Sequence, residues 1–144
     1  MDNADHNELL EAVFSEARTA NEIMTREPLV VHEDDPAIDA AVMLVGREIS
    51  GLPVVGDDMK LVGIITEKDV LKLLIEVDPD RRVRDYMTTD VKSFDASKSI
   101  VDICAHLFLH DIKRVPILKD GKLVGIVSRR DVIREILRLR GQVW

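Results

Sequence analysis

The sequence Lys60-Leu61-Val62-Gly63-Ile64 recurs letter for letter as Lys122-Leu123-Val124-Gly125-Ile126. An identical stretch at two places in one chain indicates that a structural unit occurs twice. The match continues after it, where Thr66-Glu67-Lys68-Asp69 corresponds to Ser128-Arg129-Arg130-Asp131 at the same shift of 62 residues. The fold is therefore expected to contain two copies of one repeat.

The match also extends towards the N-terminus. Leu52-Pro53-Val54-Val55 corresponds to Val115-Pro116-Ile117-Leu118, and Ile23-Met24-Thr25 corresponds to Tyr86-Met87-Thr88, each at a shift of 63 residues. The shift changes because the turn before Lys122 is one residue shorter than the turn before Lys60. The same segments thus recur in the same order in both copies.

Hydrophobic periodicity predicts the order strand, helix, strand, strand, helix in each copy. In the first copy the strands cover residues 29–31, 52–55 and 61–65, and the second helix covers 68–77. The first helix begins at Asp35-Pro36, with Asp35 as its N-cap and Pro36 in its first turn. In the second copy the strands cover 92–94, 115–118 and 123–127, and the helices follow 100–108 and 130–139. This order predicts an α/β (α+β) fold of two β-α-β-β-α repeats packed with pseudo-two-fold symmetry.

The repeat boundaries divide the chain into five parts. We expect the first repeat at residues 19–77, a linker at 78–81, the second repeat at 82–140 and a tail at 141–144. The linker Asp78-Pro79-Asp80-Arg81 has the composition of a turn. An N-terminal helical extension is expected over 1–18, because its apolar residues from Asn7 to Arg18 have helical spacing.

Composition limits the class of protein. The 144 residues are 46% hydrophobic and 33% charged, which is typical of a globular protein, and only 3% are aromatic, which leaves few side chains on which bases could stack. No apolar run is long enough to cross a membrane, the acidic start is not that of a signal peptide, and the single Cys104 cannot form an internal disulfide. We therefore expect a cytoplasmic protein.

Charge is distributed unevenly along the chain. The net charge is −7, but residues 1–81 hold 7 Lys/Arg and 19 Asp/Glu, a net −12, while residues 82–144 hold 13 and 8, a net +5. The acidic total counts against general nucleic-acid binding, whereas the second half can attract an anion.

The ordered set of motifs resembles the cystathionine-β-synthase (CBS) domain. Its pattern is Met-Thr, a capped helix, Leu/Val-Pro-Val/Ile, and then Leu-Val-Gly-Ile-x-Thr/Ser-x-x-Asp, and the resemblance covers roughly residues 19–140. Two such domains in tandem resemble a Bateman module. The resemblance implies a non-catalytic regulatory module that binds an adenosine ligand (AMP, ADP or ATP, or alternatively S-adenosylmethionine or a dinucleotide) in clefts between the repeats, without a cofactor.

The resemblance also implies which residues contact the ribose and phosphates. Thr66 and Asp69 in the first copy, and Ser128 and Asp131 in the second, occupy the family's ribose and phosphate positions. A ribose diol needs an ionised acceptor, which Asp provides. The same spacing at the junction of a strand and a helix also predicts a capping box, and the two interpretations are partly compatible.

Four basic residues accompany this motif in the second copy, whereas the first copy has one basic and one acidic residue at the matching positions. Lys113, Arg114, Arg129 and Arg130 are expected at one edge of a cleft, where the planar guanidinium suits phosphate. The matching positions in the first copy are Ser50, Gly51, Glu67 and Lys68. A solvated basic face is the alternative.

The family's adenine pocket implies a third set of residues: Ile23, Met24, Pro53, Tyr86, Met87 and Pro116. Tyr86 could stack on a base or serve only in packing. Close backbone approach to a ligand, or relief of crowding between strands, would each explain Gly63 and Gly125.

Enzyme and metal chemistry have little support in the sequence. Cys104 falls on an apolar helical stripe, and His106 and His110 lack acidic neighbours with ligand spacing, so no metal site is expected. No nucleophile–base arrangement has a supporting motif, so no catalysis is expected.

Two alternatives to nucleotide sensing remain open. A ligand-independent interaction scaffold would use the same motifs only as caps, and a nucleic-acid binder would use Arg130, Arg134 and Arg138, spaced four apart. For assembly, the resemblance implies a homodimer acting on an unknown effector protein. Antiparallel pairing would place the acidic half against the basic half, which Coulomb attraction favours.

Overall fold

The computed structural model describes residues 15–141, which form two compact units. The first-repeat unit consists of Pro28–Lys92 and Asp120–Leu123. The second-repeat unit consists, within the described residues, of 15–27, Ser93–Lys119 and 124–141. The helix predicted from Asn7 to Arg18 and the predicted tail at 141–144 lie largely outside the described residues.

The predicted order of strands and helices is confirmed in both repeats. In chain order the elements are α1 (Ala20–Ile23), β1 (Thr25–Arg26), β2 (Val31–His32), α2 (Ala37–Gly46), β3 (Gly51–Val55), a 3-10 turn (Asp57–Met59), β4 (Leu61–Thr66), α3 (Glu67–Val70), α4 (Lys72–Ile75), α5 (Val83–Tyr86), β5 (Phe94–Asp95), α6 (Ile100–Leu109), β6 (Arg114–Lys119), β7 (Lys122–Ser128) and α7 (Arg129–Leu139).

The first-repeat unit contains a three-stranded sheet in the order β2-β3-β4. Strands β2 and β3 are parallel, with Val31 opposite Val54, and β3 and β4 are antiparallel, with Leu52 opposite Ile65. The buried residues Leu52, Val54 and Ile65 form the core together with the inner face of α2, which includes Leu44. Alternation along the strands thus directs one face of the sheet into the core.

The second-repeat unit contains a four-stranded sheet in the order β1-β7-β6-β5. Strands β5 and β6 are parallel, with Phe94 opposite Ile117, and β1 and β7 are antiparallel. Ile103, Ile117 and Val127 are fully buried in its core. The strand–helix–strand–strand order of the two units is therefore the same.

Each unit combines most of one repeat with the N-terminal segment of the other repeat. In the second-repeat unit, the Ala20 and Asn21 amides donate to the carbonyl oxygens of Lys98 and Ala96, both at 2.9 Å. In the first-repeat unit, the equivalent Val83 amide donates to the Asp35 carbonyl oxygen at 2.9 Å. The compact units and the sequence repeats consequently have different boundaries.

The glycine of each Leu-Val-Gly-Ile stretch lets a Met-Thr segment lie against the strand. A Cβ atom on Gly125 would lie 2.5 Å from Met24 Sδ and 2.9 Å from the Thr25 carbonyl oxygen. A Cβ atom on Gly63 would lie 2.7 Å from the Thr88 carbonyl oxygen. Glycine is required at both positions for packing within the unit, which favours the crowding interpretation over an approach to a ligand.

The predicted cap of α2 is wrong. The Asp35 carboxylate accepts a hydrogen bond from the His32 amide at 2.9 Å, and α2 begins at Ala37 with Pro36 as its N-cap residue. Asp35 therefore closes the turn after β2 instead of capping the helix. In the second repeat, Ser99 takes the position of Pro36 and does cap its helix, because its hydroxyl oxygen accepts from the Val101 amide at 3.2 Å.

Other boundaries also differ from the predictions. Strands β2 and β5 begin two residues later than expected. Their first residues are determined by hydrogen-bond pairing with β3 and β6, which the apolar runs alone do not reveal. The helix predicted over 68–77 is divided into α3 and α4 at Leu71 and ends at Ile75. The amides of Leu71 and Leu74 donate to the third preceding residue, so the helix tightens there.

Candidate functional site: a basic cleft at the start of the last helix

The N-terminus of α7 is closed by a capping box. The Ser128 hydroxyl oxygen accepts from the Asp131 amide at 3.3 Å, while Asp131 Oδ2 accepts from the Ser128 amide at 2.8 Å and from the Ser128 hydroxyl at 3.0 Å. Asp131 is 8% exposed. The cap thus holds the buried carboxylate in one orientation and uses one of its two oxygens.

The first repeat has the same cap at the N-terminus of α3. Asp69 Oδ2 accepts from the Thr66 amide at 2.9 Å and from the Thr66 hydroxyl at 3.0 Å. Asp69 is more exposed than Asp131. The capping interpretation is therefore confirmed in both repeats, and it leaves one carboxylate oxygen outside each box.

A cleft of about 610 Å³ lies beside the N-terminus of α7 in the second-repeat unit. We call it the basic cleft, and its polar lining consists of Lys113, Arg114, Ser128, Arg129, Arg130 and Arg134. Ile133 and Leu137 complete the lining. The structure thus brings together all of the cations that the sequence pattern placed at one cleft edge. Asp131 is not among the residues that line it.

The cations of the basic cleft differ in how they are engaged. Arg129 Nε donates to the Ile112 carbonyl oxygen at 2.9 Å, and Arg129 Nη2 donates to Asp111 Oδ1 at 2.7 Å. Lys113, Arg114 and Arg130 are exposed and form no ion pair with any residue in the range 15–141. These three side chains are available to an incoming anion.

Arg134 is a cleft residue that the motif comparison missed. Its Nη1 lies 3.6 Å from Asp131 Oδ1, the carboxylate oxygen that the capping box does not use. Its spacing of four from Arg130 predicts a basic helical stripe, and the repeated motif does not extend as far as Arg134. The spacing places both residues on one face of α7.

Arg138, the third member of that stripe, has a structural role. Arg138 Nε donates to Glu135 Oε1 at 2.6 Å, and its Nη2 donates to the Glu16 carbonyl oxygen at 2.9 Å. Glu135 is 3% exposed and also accepts from the Arg18 amide at 2.7 Å. The hydrogen bonds from Arg138 lower the pKa of the Glu135 carboxyl, although burial acts in the opposite direction. Of the three arginines in the stripe, Arg138 therefore has a packing role, whereas Arg130 and Arg134 line the cleft.

The corresponding positions of the first repeat lack this concentration of charge. Glu67 is exposed at the position of Arg129, and Lys72 takes the position of Arg134. Lys72 Nζ lies 5.9 Å from the centre of the Tyr86 ring, a cation–π distance. The two repeats share the capping box but present different charges beside it.

The residues predicted to enclose adenine are divided between the two compact units. Ile23, Met24 and Pro116 belong to the second-repeat unit, and Pro53, Tyr86 and Met87 belong to the first-repeat unit. Met24, Pro53, Tyr86 and Pro116 are buried, while Ile23 and Met87 are half-buried. A contact between these residues and adenine stays a prediction.

Tyr86 is held in the core of the first-repeat unit. It is 4% exposed, and its hydroxyl has no hydrogen-bond partner among the residues that the structure describes. Burial, and secondarily the charge of Glu76, raises the pKa of the Tyr86 phenol.

Two histidines and the cysteine, in or next to α6, make packing contacts. The His106 and His110 rings lie 4.5 Å apart, and His106 also packs edge-on against Phe94. Cys104 packs partly buried against the core. Between Ser15 and Gly141, no three His, Cys, Asp or Glu side chains are placed to hold a metal ion. Throughout the same range, every helix is too short or too polar to cross a lipid bilayer.

The chain is similar to a known domain family and to several solved structures. The CBS domain model matches residues 20–76 and 83–138. Hypoxic response protein 1 of Mycobacterium tuberculosis is 31% identical over 121 residues, which cover 82% of this chain and 85% of that protein. The structure of CBSX2 in complex with AMP has 31% identity and a TM-score of 0.74, covering 85% of this chain and 98% of CBSX2.

A further neighbour was solved with other adenosine ligands. The CBS domain pair of protein MJ0100, in complex with 5-methylthioadenosine and S-adenosyl-L-methionine, has 28% identity and a TM-score of 0.67, covering 87% of this chain and 97% of that pair. Some curated relatives are much longer than this chain. It spans 43% of an uncharacterized protein and 23% of an inosine-5'-monophosphate dehydrogenase, both from Methanocaldococcus jannaschii. The matching residues, the repeated fold and the cap at each helix start lead to one conclusion: the chain belongs to the CBS domain family and carries two CBS domains in tandem.

Proposed function

We propose that this chain is a regulatory module that senses an adenine nucleotide and binds its phosphates in the basic cleft. CBS-pair proteins are generally regulatory and non-catalytic, and the similarity to inosine-5'-monophosphate dehydrogenase is confined to the CBS part. CBSX2 with AMP and the MJ0100 pair with S-adenosylmethionine support an adenosine ligand. The ligand is expected to change how the module acts on an effector protein in the cytoplasm.

The observation that carries the proposal is that cations without an ion pair in the range 15–141 line the same cleft as the N-terminus of a helix. Lys113, Arg114 and Arg130 line the same cleft as Ser128, where the helix dipole of α7 adds partial positive charge. An anion that enters the cleft would gain charge-assisted hydrogen bonds from side chains that lose no ion pair in return. A phosphate group fits this lining better than an uncharged ligand does.

The ribose would be bound by the capped aspartates. The box at Ser128 fixes Asp131 and leaves its Oδ1 outside the box, 3.6 Å from Arg134 Nη1, and the box at Thr66 leaves Oδ1 of Asp69 outside in the same way. The grouping of Ile23, Met24 and Pro116 with Asp131, and of Pro53, Tyr86 and Met87 with Asp69, supports one adenosine site in each unit. We assign the stronger nucleotide site to the second repeat, because the cations are there.

Isothermal titration with adenosine, AMP, ADP, ATP and S-adenosylmethionine tests the proposal. We expect the phosphorylated ligands to bind and adenosine to bind worst. Binding of S-adenosylmethionine without AMP would assign the alternative ligand, and binding of none of the five would assign a ligand-independent scaffold.

The variant Asp131→Asn tests the ribose assignment with the cap retained. Asparagine keeps an oxygen that can accept from the Ser128 amide, but it removes the charge. We expect AMP affinity to fall by about 10-fold or more, in the range for a hydrogen bond to a charged group. Asp69→Asn is the matched control at the other cap, and an equal loss in both variants would contradict the preference for the second repeat.

We further propose that the module is a homodimer, because each unit exposes an apolar helical face. Val45, Leu74 and Ile75 are each more than four-fifths exposed in the first-repeat unit. In the second-repeat unit, Phe108 is 84% exposed and borders a groove of about 390 Å³ that is lined mainly by apolar side chains of α6 and α7. Such patches mark interaction surfaces.

The occupant that we propose for this groove is the first-repeat face of a second copy. The acidic first half and the basic second half of the chain are complementary in this antiparallel arrangement, and like charges would meet in the parallel one. In a Cys104→Ala background, Val45→Cys should cross-link to Phe108→Cys when the two variants are mixed. Cross-links only between identical variants would assign parallel pairing, and a monomer by sedimentation would refute the dimer.

A further inference from the structure

Arg134 extends the row of cations beyond the positions named so far. It lines the basic cleft with Arg130, its side chain is 58% exposed, and its Nη1 lies 3.6 Å from Asp131 Oδ1. Arg130 and Arg134 are one turn apart, so their Cα atoms are separated by about 6 Å along the axis of α7. The row therefore runs from the N-terminus of the helix along its first two turns.

The row ends at Arg134. The next residue of the stripe, Arg138, is committed to the buried Glu135 and to the Glu16 carbonyl oxygen. Leu137, one turn beyond Ile133, also lines the cleft near this end. The cleft thus offers positive charge over a length greater than that of one phosphate group, and then becomes apolar.

Arg134 can leave its present partner at little cost. The separation of 3.6 Å is long for an ion pair and the guanidinium is more than half exposed, while Asp131 keeps the two hydrogen bonds that the Ser128 amide and hydroxyl donate to it. The fork of an Arg side chain matches two oxygens of a terminal phosphate, which the ammonium group of Lys does not do. The first repeat has Lys72 at this position, and its ammonium lies over the Tyr86 ring.

We infer that Arg134 binds the terminal phosphate of a ligand with two or more phosphates, and that it makes the basic cleft prefer ADP and ATP over AMP. This inference rests on the proposed nucleotide function and specifies the ligand class of the same site. The α-phosphate lies near Ser128 and Arg130 at the start of α7, and the chain of phosphates follows the helix towards Arg134. Arg134 therefore determines specificity, while the cations nearer Ser128 provide affinity for every nucleotide.

Titration of AMP, ADP and ATP into wild-type protein, Arg134→Gln and Arg140→Gln tests the inference. Arg140 is exposed at the C-terminal end of α7, does not line the cleft, and gives the same change of charge. In Arg134→Gln we expect ADP and ATP to bind about 10-fold or more weakly and AMP to change by less than about 2-fold. Arg140→Gln should leave all three affinities within about 2-fold, because an exposed distant charge is screened.

The outcomes separate the two proposals. If no adenine nucleotide binds to the wild-type protein, the proposed function fails and this inference fails with it. If the nucleotides bind, but Arg134→Gln weakens AMP, ADP and ATP by the same factor or by none, the proposed function stands and the role of Arg134 is refuted. Arg134→Lys adds a second readout, because it keeps the charge and should restore only part of the preference for ADP and ATP.

Discussion

Arg129 Nη2 donates a hydrogen bond of 2.7 Å to Asp111 Oδ1. This contact engages the guanidinium, so Arg129 lines the basic cleft without being fully available to an anion. The backbone holds the same side chain, since Arg129 Nε donates to the Ile112 carbonyl oxygen. Both partners are substantially exposed, with Asp111 at 97%, so the ion pair is weak. A phosphate in the cleft would therefore compete with Asp111 for Arg129.

Removing that competitor should strengthen nucleotide binding. We expect Asp111→Asn to raise the affinity for ATP by about 1.4- to 5-fold, the factor that corresponds to an exposed ion pair. Titration calorimetry measures the change, with Asp120→Asn as a control that removes an exposed acidic charge elsewhere in the second repeat. An equal gain in both variants, or a gain that persists in an Arg129→Gln background, would show that the gain does not come from the release of Arg129.

Two glycines provide a matched test of close packing. We expect Gly125→Ala to lower the free energy of unfolding by about 1–3 kcal/mol, because the new Cβ would overlap Met24 Sδ and the Thr25 carbonyl oxygen. Gly46→Ala, at the end of α2, meets no atom within 4 Å and should raise stability by about 0.5–1 kcal/mol through helix propensity. Urea denaturation of both variants gives the comparison. Equal stabilities would mean that β1 does not lie against Gly125.

The Glu135–Arg138 pair predicts how stability depends on pH. The pKa of Glu135 is lower in the folded protein than its ordinary value of 4.5, so the carboxylate form is favoured by folding. This stabilisation is complete above pH 4.5 and is lost as the pH falls through the folded-state pKa. We expect Glu135→Gln to flatten the acid part of the curve of unfolding free energy against pH, whereas Glu76→Gln, at an exposed position, should leave its shape unchanged.

The repeated sequence was sufficient to predict the main elements and most of the basic cleft. Identical residues around Gly63 and Gly125 predicted β4 and β7, and the cations from Lys113 to Arg130 were correctly placed together. These predictions succeeded because hydrophobic alternation and helical spacing are local properties. The pairs of short strands and the division at Leu71 depend on partners distant in sequence, so they did not follow from the pattern.

The choice of hydrogen-bond partner could not be read from the sequence. Asp35 was equally suited to cap α2 or to accept from the His32 amide, and only the folded turn decides between them. Arg129 and Arg130 are adjacent cations, yet Asp111 engages only Arg129. The sequence groups Arg134 with Arg138 in one stripe, but buried Glu135 engages Arg138, and the burial of Glu135 depends on the packing of α7.

The location of the nucleotide phosphates is measured most directly by a titration of ¹⁵N-labelled protein with ATP, followed through backbone amide shifts. We expect the largest changes at Ser128–Asp131 and at Lys113 and Arg114, because these amides border the basic cleft. The capped start of α3 at Thr66 should shift less, and only at higher ATP concentration. Saturable binding with its largest shifts around Thr66, or with no shifts at the start of α7, would contradict a phosphate site in the basic cleft.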